Sequence, residues 1–582
     1  MDINNIFELN KKIIRYRVFQ NTSFNDKSYT YVIKCDLNIL EQTVPIAVCI
    51  PEDWKISLVN IYIDIKDDFN YIPHIDLHGK ICLFDTEGVL IDNNLEGIIL
   101  QSIDRAVDII EKGLKKENSI DFIEEFQNYW YQLPNKRIAK FISPKNKKIQ
   151  MIKYSYKKIT RLKKEKQIEY IKRQKKQILY ISEKIEGFTK WNINSGMERN
   201  GIYIYIETEK YIFPPDARKE LSVENFISYL LKKSNIEEIK RLYQKLGSEK
   251  VFIFEIKQPN GTHNFLGFMF EKLILKFENN ECDFVEVGKC YPISIDLCNK
   301  SYLLSRVNNN NLFENKKILV IGCGSIGGYL VNELTKMGFE NIKLIDDDFL
   351  DEENVFRHLL GLEYIGKYKT GAMKEYLDKN IPNLNITCLE QNIQDAIVDE
   401  SIEFNDYDII ISCVGNHNVN RYINQYVFEN EIAVPIVYAW NEVLGIGNHV
   451  AYINYKNKGC YECFIGRDEE SLEIYDRTSY CKPGQKITRK LSGCGSSFIQ
   501  YGSNVSLRTV NICIDTITKV FEGRYKNNMI ISCKGDDFYF KKAGLILSNK
   551  YINQKNDTVE YTGEKFINKK CNVCKVKNEN KY

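Results

Sequence analysis

The stretch ILVIGCGSIGGYLVNEL, residues 318–334, sets Gly322, Gly324 and Gly327 between an apolar run of strand type and a segment of helical periodicity. Glycines at these offsets permit a tight turn. They also let a phosphate approach the helix N-terminus, where unpaired N–H groups and the dipole favour anions. The next apolar run, IKLID, ends on Asp346, the position from which a carboxylate accepts a hydrogen bond from a ribose hydroxyl. From about residue 315 onward strand and helix patterns alternate, which predicts a Rossmann-like, doubly wound parallel sheet. The glycines alone suit an NAD-dependent dehydrogenase as well as any other nucleotide enzyme.

The residues that follow separate these readings. DDDFLDEENVFRHLLG, residues 346–361, adds Asp348, Asn354 and Arg357, and GKYKTGAMKEYL, residues 366–377, adds Lys369. Hydride transfer makes no use of an Arg and a Lys here. A triphosphate does, because the cations neutralise phosphate and the charge that develops on leaving pyrophosphate. The combination D-x-D-x-x-x-x-x-N-x-x-R-H, after GxGxxG and before G-x-x-K, resembles the adenylation domain of ubiquitin-activating enzymes and their bacterial molybdopterin and thiamin relatives. The resemblance covers about residues 315–580. It implies ATP-dependent adenylation of the C-terminal carboxylate of a small protein. By matching position, Asp346 would bind the ribose, Asn354, Arg357 and Lys369 the phosphates, and Asp348 would add a contact. The family usually holds Mg2+ with an Asp in the segment matching IIISCVGNHNVNRYIN, residues 409–424. Here Gly415 stands at that place, with Asn416 beside it.

Two C-x-x-C pairs, Cys460/Cys463 and Cys571/Cys574, match a tetrahedral structural Zn2+ site. Four sulfur ligands leave no open position for catalysis. Between the pairs, Cys494 lies in LSGCGSS just before a long helical pattern. A helix N-terminus stabilises a thiolate and lowers its pKa. Activating enzymes place their thioester cysteine before a helix in this part of the chain, so Cys494 is the expected nucleophile. Cys481, in a basic loop, is the second candidate.

Near the N-terminus, YIPHIDLHGKICLFD, residues 71–85, sets Cys82 between Ile81 and Leu83. Taken alone this reads as a buried strand cysteine. With Pro-His eight residues upstream and a Gly just before, it resembles the active-site segment of ubiquitin-conjugating enzymes. Strand patterns at YTYVIKCDL, TVPIAVCI and LVNIYIDI before it, and helical patterns at residues 95–114 and 119–133 after it, agree with that α+β fold. The family's Asn is missing from the order Pro73-His74-Ile75-Asp76. His74 is therefore a candidate oxyanion donor, and Asp76 a candidate base toward an incoming amine.

A conjugating-like domain fused to an activating-like domain resembles the fusion enzymes of bacterial antiphage operons, the cyclic-oligonucleotide-based signalling systems (CBASS). The resemblance implies a relay. A partner's C-terminus, expected to be that of a CD-NTase-type nucleotidyltransferase, is adenylated, passes to Cys494 as a thioester, moves to Cys82 and acylates an amine. It also implies a homodimer.

Composition bounds these readings. At 582 residues the chain needs several cores, and the expected division is 1–145, 146–305 and 306–582: conjugating-like, mixed α+β, and adenylation. Net charge is only +3, from 81 basic and 78 acidic side chains, so nothing pulls the chain as a whole toward nucleic acid or anionic membrane. No run of about 18 apolar residues or signal-peptide pattern stands out, and a cytoplasmic location is expected. The Lys-rich stretch 143–185 reads as a solvated helical connector, with a basic patch for an acidic partner as the alternative. Three functional alternatives remain: a sulfur-carrier adenylyltransferase, an NAD-dependent oxidoreductase and a non-catalytic scaffold.

Overall fold

The computed structural model describes residues 7–8, 12–63, 71–84, 90–156, 178–184, 188, 197–218, 223–278, 281–307, 311–468, 472–490 and 497–574. The chain divides into two units. One comprises Met1–Thr189 with Ile193–Asn299, the other Lys190–Asn192 with Lys300–Tyr582.

The first unit opens with an antiparallel sheet of four strands in chain order, β1 (Ile13–Phe24), β2 (Lys27–Ile39), β3 (Gln42–Ile50) and β4 (Asn60–Ile63). Alternation decides its faces. Ile33, Cys35, Ile46, Val48, Ile61 and Ile63 point to a core shared with helix α1 (Leu95–Leu114). The α1 sequence carries Ile99, Ile103, Ala106 and Ile110 at helical spacing, all fully buried there. Each isoleucine contributes about 1.5–3 kcal/mol relative to exposure. Asn94 starts the helix by accepting from Gly97 N–H at 3.1 Å.

The rest of this unit contains a closed seven-stranded barrel. Its strands run round in the order His263–Phe270, Cys290–Leu297, Arg137–Phe141, Ile178–Ser182, Gln150–Tyr156, Arg199–Glu207 and Lys250–Lys257, the last pairing with the first. Phe141, Tyr154, Ile181, Tyr203 and Ile293 fill one side, while Ile202, Ile204, Phe252 and Phe268 pack in a second core. Both faces are buried, which explains apolar runs without alternation, such as VFIFEI. A second helix, α2 (Phe126–Gln132), is pinned to the barrel by Trp130, whose Nε1–H donates to Ile293 O at 2.8 Å. The helical connector expected over 143–185 is overtaken here. Residues 150–156 and 178–182 are barrel strands, and 157–177 lie outside the described residues. Lys153, the one lysine of 150–156, lies half-buried between inward Ile152 and Tyr154, as on a half-wet strand.

The second unit has the doubly wound sheet. Strands β5 (Lys317–Ile321), β6 (Asn341–Ile345), β7 (Asn385–Leu389), β8 (Ile409–Ser412) and β9 (Ile436–Asn441) are parallel. Strands β10 (Gly447–Ile453), β11 (Met529–Lys534) and β12 (Thr558–Thr562) extend the sheet antiparallel, in the order β7-β6-β5-β8-β9-β10-β11-β12. Helices α3 (Ser325–Lys336), α4 (Lys369–Asn380) and α7 (Ser503–Phe521) supply the core on one face. Helices α5 (Ile393–Val398) and α6 (His417–Glu429) supply it on the other. The strand order reverses between β5 and β8, and a crevice opens at their carboxyl ends, where such sheets bind ligands.

Candidate active site

A cleft of about 460 Å³ occupies that crevice. Gly322 follows β5 at φ +89, a conformation open to glycine, and a Cβ there would lie 3.0 Å from the backbone of Cys413 and Val414 beyond β8. Gly327 has a different task. Its Cβ would stand 1.9 Å from Gly322 O, so only glycine lets α3 lie this close to the turn. Gly324 caps α3, and nothing lies within 4 Å of its Cβ position, so the helix N-terminus faces open space in the cleft.

Asp346 holds the loop in shape. It accepts from Cys323 N–H at 2.6 Å and Asp348 N–H at 2.9 Å, and burial raises its pKa. His358 supports the same loop from beneath. Its Nε2 lies 2.7 Å from Cys323 O, and its Nδ1 accepts from Leu360 N–H at 3.0 Å. A ring that accepts at Nδ1 carries its proton on Nε2 and is neutral, in keeping with a pKa lowered by burial. The sequence reading assigned His358 no role; it is visible there only as the His of the Arg-His pair.

Asp348, Asn354, Arg357 and Lys369 line the cleft with Gly322, Gly324 and Asp346. Gly327 lies behind the turn as packing. Lys369, buried at the start of α4, places Nζ 2.7 Å from Asp348 Oδ2. The opposite wall adds Phe498, Ile499 and Tyr501, which no local pattern could flag. Tyr501 OH lies 3.0 Å from Ser325 Oγ across 176 positions of sequence.

The loop after β8 brings no carboxylate to the cleft. Gly415 has φ +65, and Asn416 caps α6 by accepting from Asn418 and Val419 N–H. Mg2+ on a nucleotide keeps several waters and needs one or two carboxylates. Asp347 and Asp348, which line the cleft and are exposed, are the carboxylates there that could meet that requirement.

Cys460, Cys463, Cys571 and Cys574 converge and are all buried. Their sulfurs lie 3.9 Å (460 to 463), 3.6 Å (460 to 571) and 3.4 Å (463 to 574) apart. A tetrahedral Zn2+ with Zn–S of about 2.3 Å sets its sulfurs about 3.8 Å apart, so the donor set fits that ion. Cys494 lies outside the described residues. Cys481 is buried and accepts from Gln485 Nε2–H at 3.2 Å, and burial pushes its thiol up to about 11, the wrong direction for a nucleophile.

In the first unit Cys82 is exposed between buried Ile81 and Leu83, the one exposed thiol among the 16 described cysteines. Its loop is held from both sides. Ile81 N–H donates to Ile61 O, and Cys82 N–H donates to His74 O, both at 2.8 Å. His74, at φ +65, spends its ring on acids: Nε2 is 3.0 Å from Asp121 Oδ2 and Nδ1 is 3.2 Å from Glu125 Oε1. The Glu125 hydrogen bond, against partial burial, raises the His74 pKa. An oxyanion role would require His74 to leave one of these partners. Asp76 Oδ1 accepts from His78 and Lys80 N–H at 2.8 Å each, which shapes the turn before Cys82.

Comparison with known proteins agrees with both halves. Residues 302–532 match the ThiF family, and residues 14–139 match Prokaryotic E2 family B. The ATP-dependent ubiquitin transferase-like protein Cap2 of Escherichia coli is 24% identical over 566 residues, which is 90% of this chain and 92% of that protein. The Pseudomonas aeruginosa protein of the same name is 24% identical over 42% of this chain and 44% of its own length. The adenylyltransferase and sulfurtransferase UBA4 of Meyerozyma guilliermondii is 30% identical over 25% of this chain and 34% of that protein. The last two alignments thus span less than half of those relatives. The chain is a fusion of a ThiF-family, activating-type domain with a conjugating-type domain of Prokaryotic E2 family B.

Proposed function

We propose that this chain is an ATP-dependent protein-conjugating enzyme. The observation that carries the reading is the pairing of a nucleotide cleft furnished with Arg357 and Lys369 and a separate conjugating-type domain whose one exposed described thiol is Cys82. An oxidoreductase has no use for either feature, and a sulfur-carrier activator has none for the second.

In this reading ATP enters the cleft with its phosphates over Gly324 and its ribose toward Asp346. A carboxylate oxygen at the partner's C-terminus attacks the α-phosphorus, and pyrophosphate leaves with its charge neutralised by Arg357 and Lys369. Mg2+ carried on the triphosphate would be met by Asp347 and Asp348 and would supply further charge neutralisation. The Cys494 thiolate then attacks the acyl carbon, releasing AMP. Cys82 takes the acyl group by thioester exchange, and an amine finally displaces the Cys82 thiolate to give an amide. A thioester keeps most of the activation of the adenylate while dividing one hard acyl transfer into easier steps. Fusion of the two domains raises the effective concentration for the exchange.

The activated partner is proposed to be a CD-NTase-type nucleotidyltransferase, primed in antiphage signalling, and the enzyme to act as a homodimer with a structural Zn2+ at the four cysteines. No helix among the described residues is long and apolar enough to cross a membrane. The test is partner-dependent exchange of pyrophosphate into ATP, measured on wild type, Lys369→Ala and Cys494→Ala. Exchange should survive Cys494→Ala and be lost with Lys369→Ala. Exchange that needs no partner C-terminus would refute the reading.

A further inference from the structure

We infer that Asn441 is the hydrogen-bond donor to the partner's terminal carboxylate, holding the oxygen that becomes the carbonyl oxygen of the acyl adenylate. The inference rests on the adenylation proposed above and adds a residue to it.

Asn441 is the last residue of β9 and pairs with Asn448 of β10. It lines the nucleotide cleft and is 9% exposed. Its neighbours orient its amide. Asn448 Nδ2–H donates to Val505 O of α7 at 2.9 Å, and a carbonyl can only accept, so the nitrogen of Asn448 faces this way. The same nitrogen lies 3.1 Å from Asn441 and needs an acceptor there, which makes the facing atom Oδ1. Thr509 Oγ1–H donates to this Oδ1 as well, so both its lone pairs are taken. What the side chain can offer the cleft is therefore an N–H. One Nδ2 proton is directed at Ser506 Oγ at 3.5 Å, long for a hydrogen bond. The other has no partner among the described residues. A buried donor without an acceptor is costly, and an oxygen of a bound substrate would relieve it.

The place of Asn441 in the sheet suits that substrate. Asp346 follows β6, the Gly322 turn follows β5, and Asn441 ends β9, two strands beyond β5 on the side away from β6. Strand spacings of about 4.8 Å put it roughly 10 Å across the sheet from the turn. Lys369 sits with Asp348 just past β6, so pyrophosphate leaves toward that side. Displacement at phosphorus runs in line, and the attacking oxygen arrives from the β8–β9 side. Donors are otherwise scarce there. Val414, Val419, Phe498 and Ile499 are apolar, and Tyr501 OH is engaged with Ser325 Oγ.

A neutral donor fits the chemistry. A cation would hold the carboxylate's charge and blunt its attack, whereas an amide N–H orients one oxygen and leaves the other free. The free oxygen bonds to phosphorus and becomes the bridge to AMP. The held oxygen becomes the carbonyl oxygen of the adenylate. When a thiolate adds to that carbonyl, this oxygen takes the negative charge, and the N–H stabilises it until AMP leaves and the carbonyl re-forms. A purely architectural Asn441 accounts for the contacts of Oδ1 and gives the N–H no task.

The test is calorimetric titration of the full-length chain with an acylsulfamoyl adenosine carrying N-acetylglycine, a stable mimic of the acyl adenylate, and with AMP, which lacks the acyl group. Wild type should bind the mimic at least tenfold more tightly than AMP. Asn441→Ala should keep wild-type affinity for AMP and lose at least tenfold for the mimic. Because alanine strands the donors of Asn448 and Thr509, Asn441→Asp is measured beside it. Its carboxylate still accepts from both, so its melting midpoint should stay at that of wild type while its preference for the mimic over AMP falls at least tenfold. A preference kept in either variant overturns the inference, as does loss of AMP and mimic binding in equal proportion. A wild type that binds AMP and shows no preference for the mimic would instead overturn the adenylation reading beneath it.

Discussion

Gly324 and Gly327 are three residues apart and should fail in opposite ways. A Cβ at Gly327 would stand 1.9 Å from Gly322 O, against an ordinary contact of 3.4 Å or more. The start of α3 would have to retreat by about 1.5 Å, and its neighbours Ile326, Leu330 and Leu334 are fully packed in the core. Overpacking of this kind costs about 1–3 kcal/mol. For a domain of this size that is roughly 2–4 °C of melting midpoint per kcal/mol. Gly324 has open space at the Cβ position and an ordinary negative φ. Gly324→Ala should lower the midpoint by no more than about 2–4 °C, since glycine and alanine at a helix N-cap differ by under about 1 kcal/mol. Its methyl group, however, would project into the space assigned to phosphate. Thermal unfolding and titration with a fluorescent ATP analogue separate the two effects. Gly327→Ala is predicted to lower the midpoint of the second unit by several degrees, whereas Gly324→Ala lowers it less and loses nucleotide affinity at least tenfold. A Gly324→Ala protein that binds the analogue like wild type would refute the phosphate cradle. A Gly327→Ala protein with unchanged melting would refute the packing.

Arg357→Ala and Lys369→Ala should each weaken ATP binding by about 10- to 100-fold, the worth of a charge-assisted hydrogen bond of about 1.5–3 kcal/mol; calorimetric titration with ATP decides. The purified chain should carry one Zn2+ by elemental analysis, and Cys463→Ser should lose it together with thermal stability; a metal-free wild type of unchanged melting would count against a structural zinc. Because Asp121 and Glu125 raise the His74 pKa, the folded protein holds the proton more tightly than the unfolded chain. The stability this adds is fully present below about pH 6.5, the unfolded value, and is lost as pH rises through the raised value. Chemical denaturation of the first unit should therefore show a decline above pH 6.5 that His74→Gln abolishes; parallel profiles would show that the His74 contacts with Glu125 and Asp121 do not form.

That these residues gather in one cleft was legible because the cleft's parts are local. Gly322 to Lys369 is one strand–turn–helix–strand run followed by a loop, and each residue type answers a demand of phosphate or ribose. The paired cysteines were legible as spacing, although their meeting depends on a chain reversal that sequence does not show. The exposed Cys82 was harder. Its neighbours Ile81 and Leu83 are buried, so the local pattern is that of a strand facing inward, and the surrounding motif tipped the reading outward. The barrel was not legible at all. Its closure joins Arg137–Phe141 to Cys290–Leu297 in parallel, more than 150 residues apart, and burial of both faces erases the period of two. His358 and Tyr501 escaped for a related reason. One acts through a backbone carbonyl and the other across a long loop, so neither leaves a spacing to read. The acids that hold His74 lie 47 and 51 positions downstream on a separate helical segment.

The relay is tested most directly by trapping its last covalent state. Cys82→Ser, tagged and expressed in the native host, should convert the transient thioester into a slower-hydrolysing oxyester. Intact-mass spectrometry is predicted to find an adduct that alkaline hydroxylamine removes, and peptide mapping to join one protein's C-terminal carboxyl to the side-chain oxygen at position 82. A Cys82→Ser chain that binds ATP, is produced beside its genomic neighbours and never gains mass would contradict the central claim.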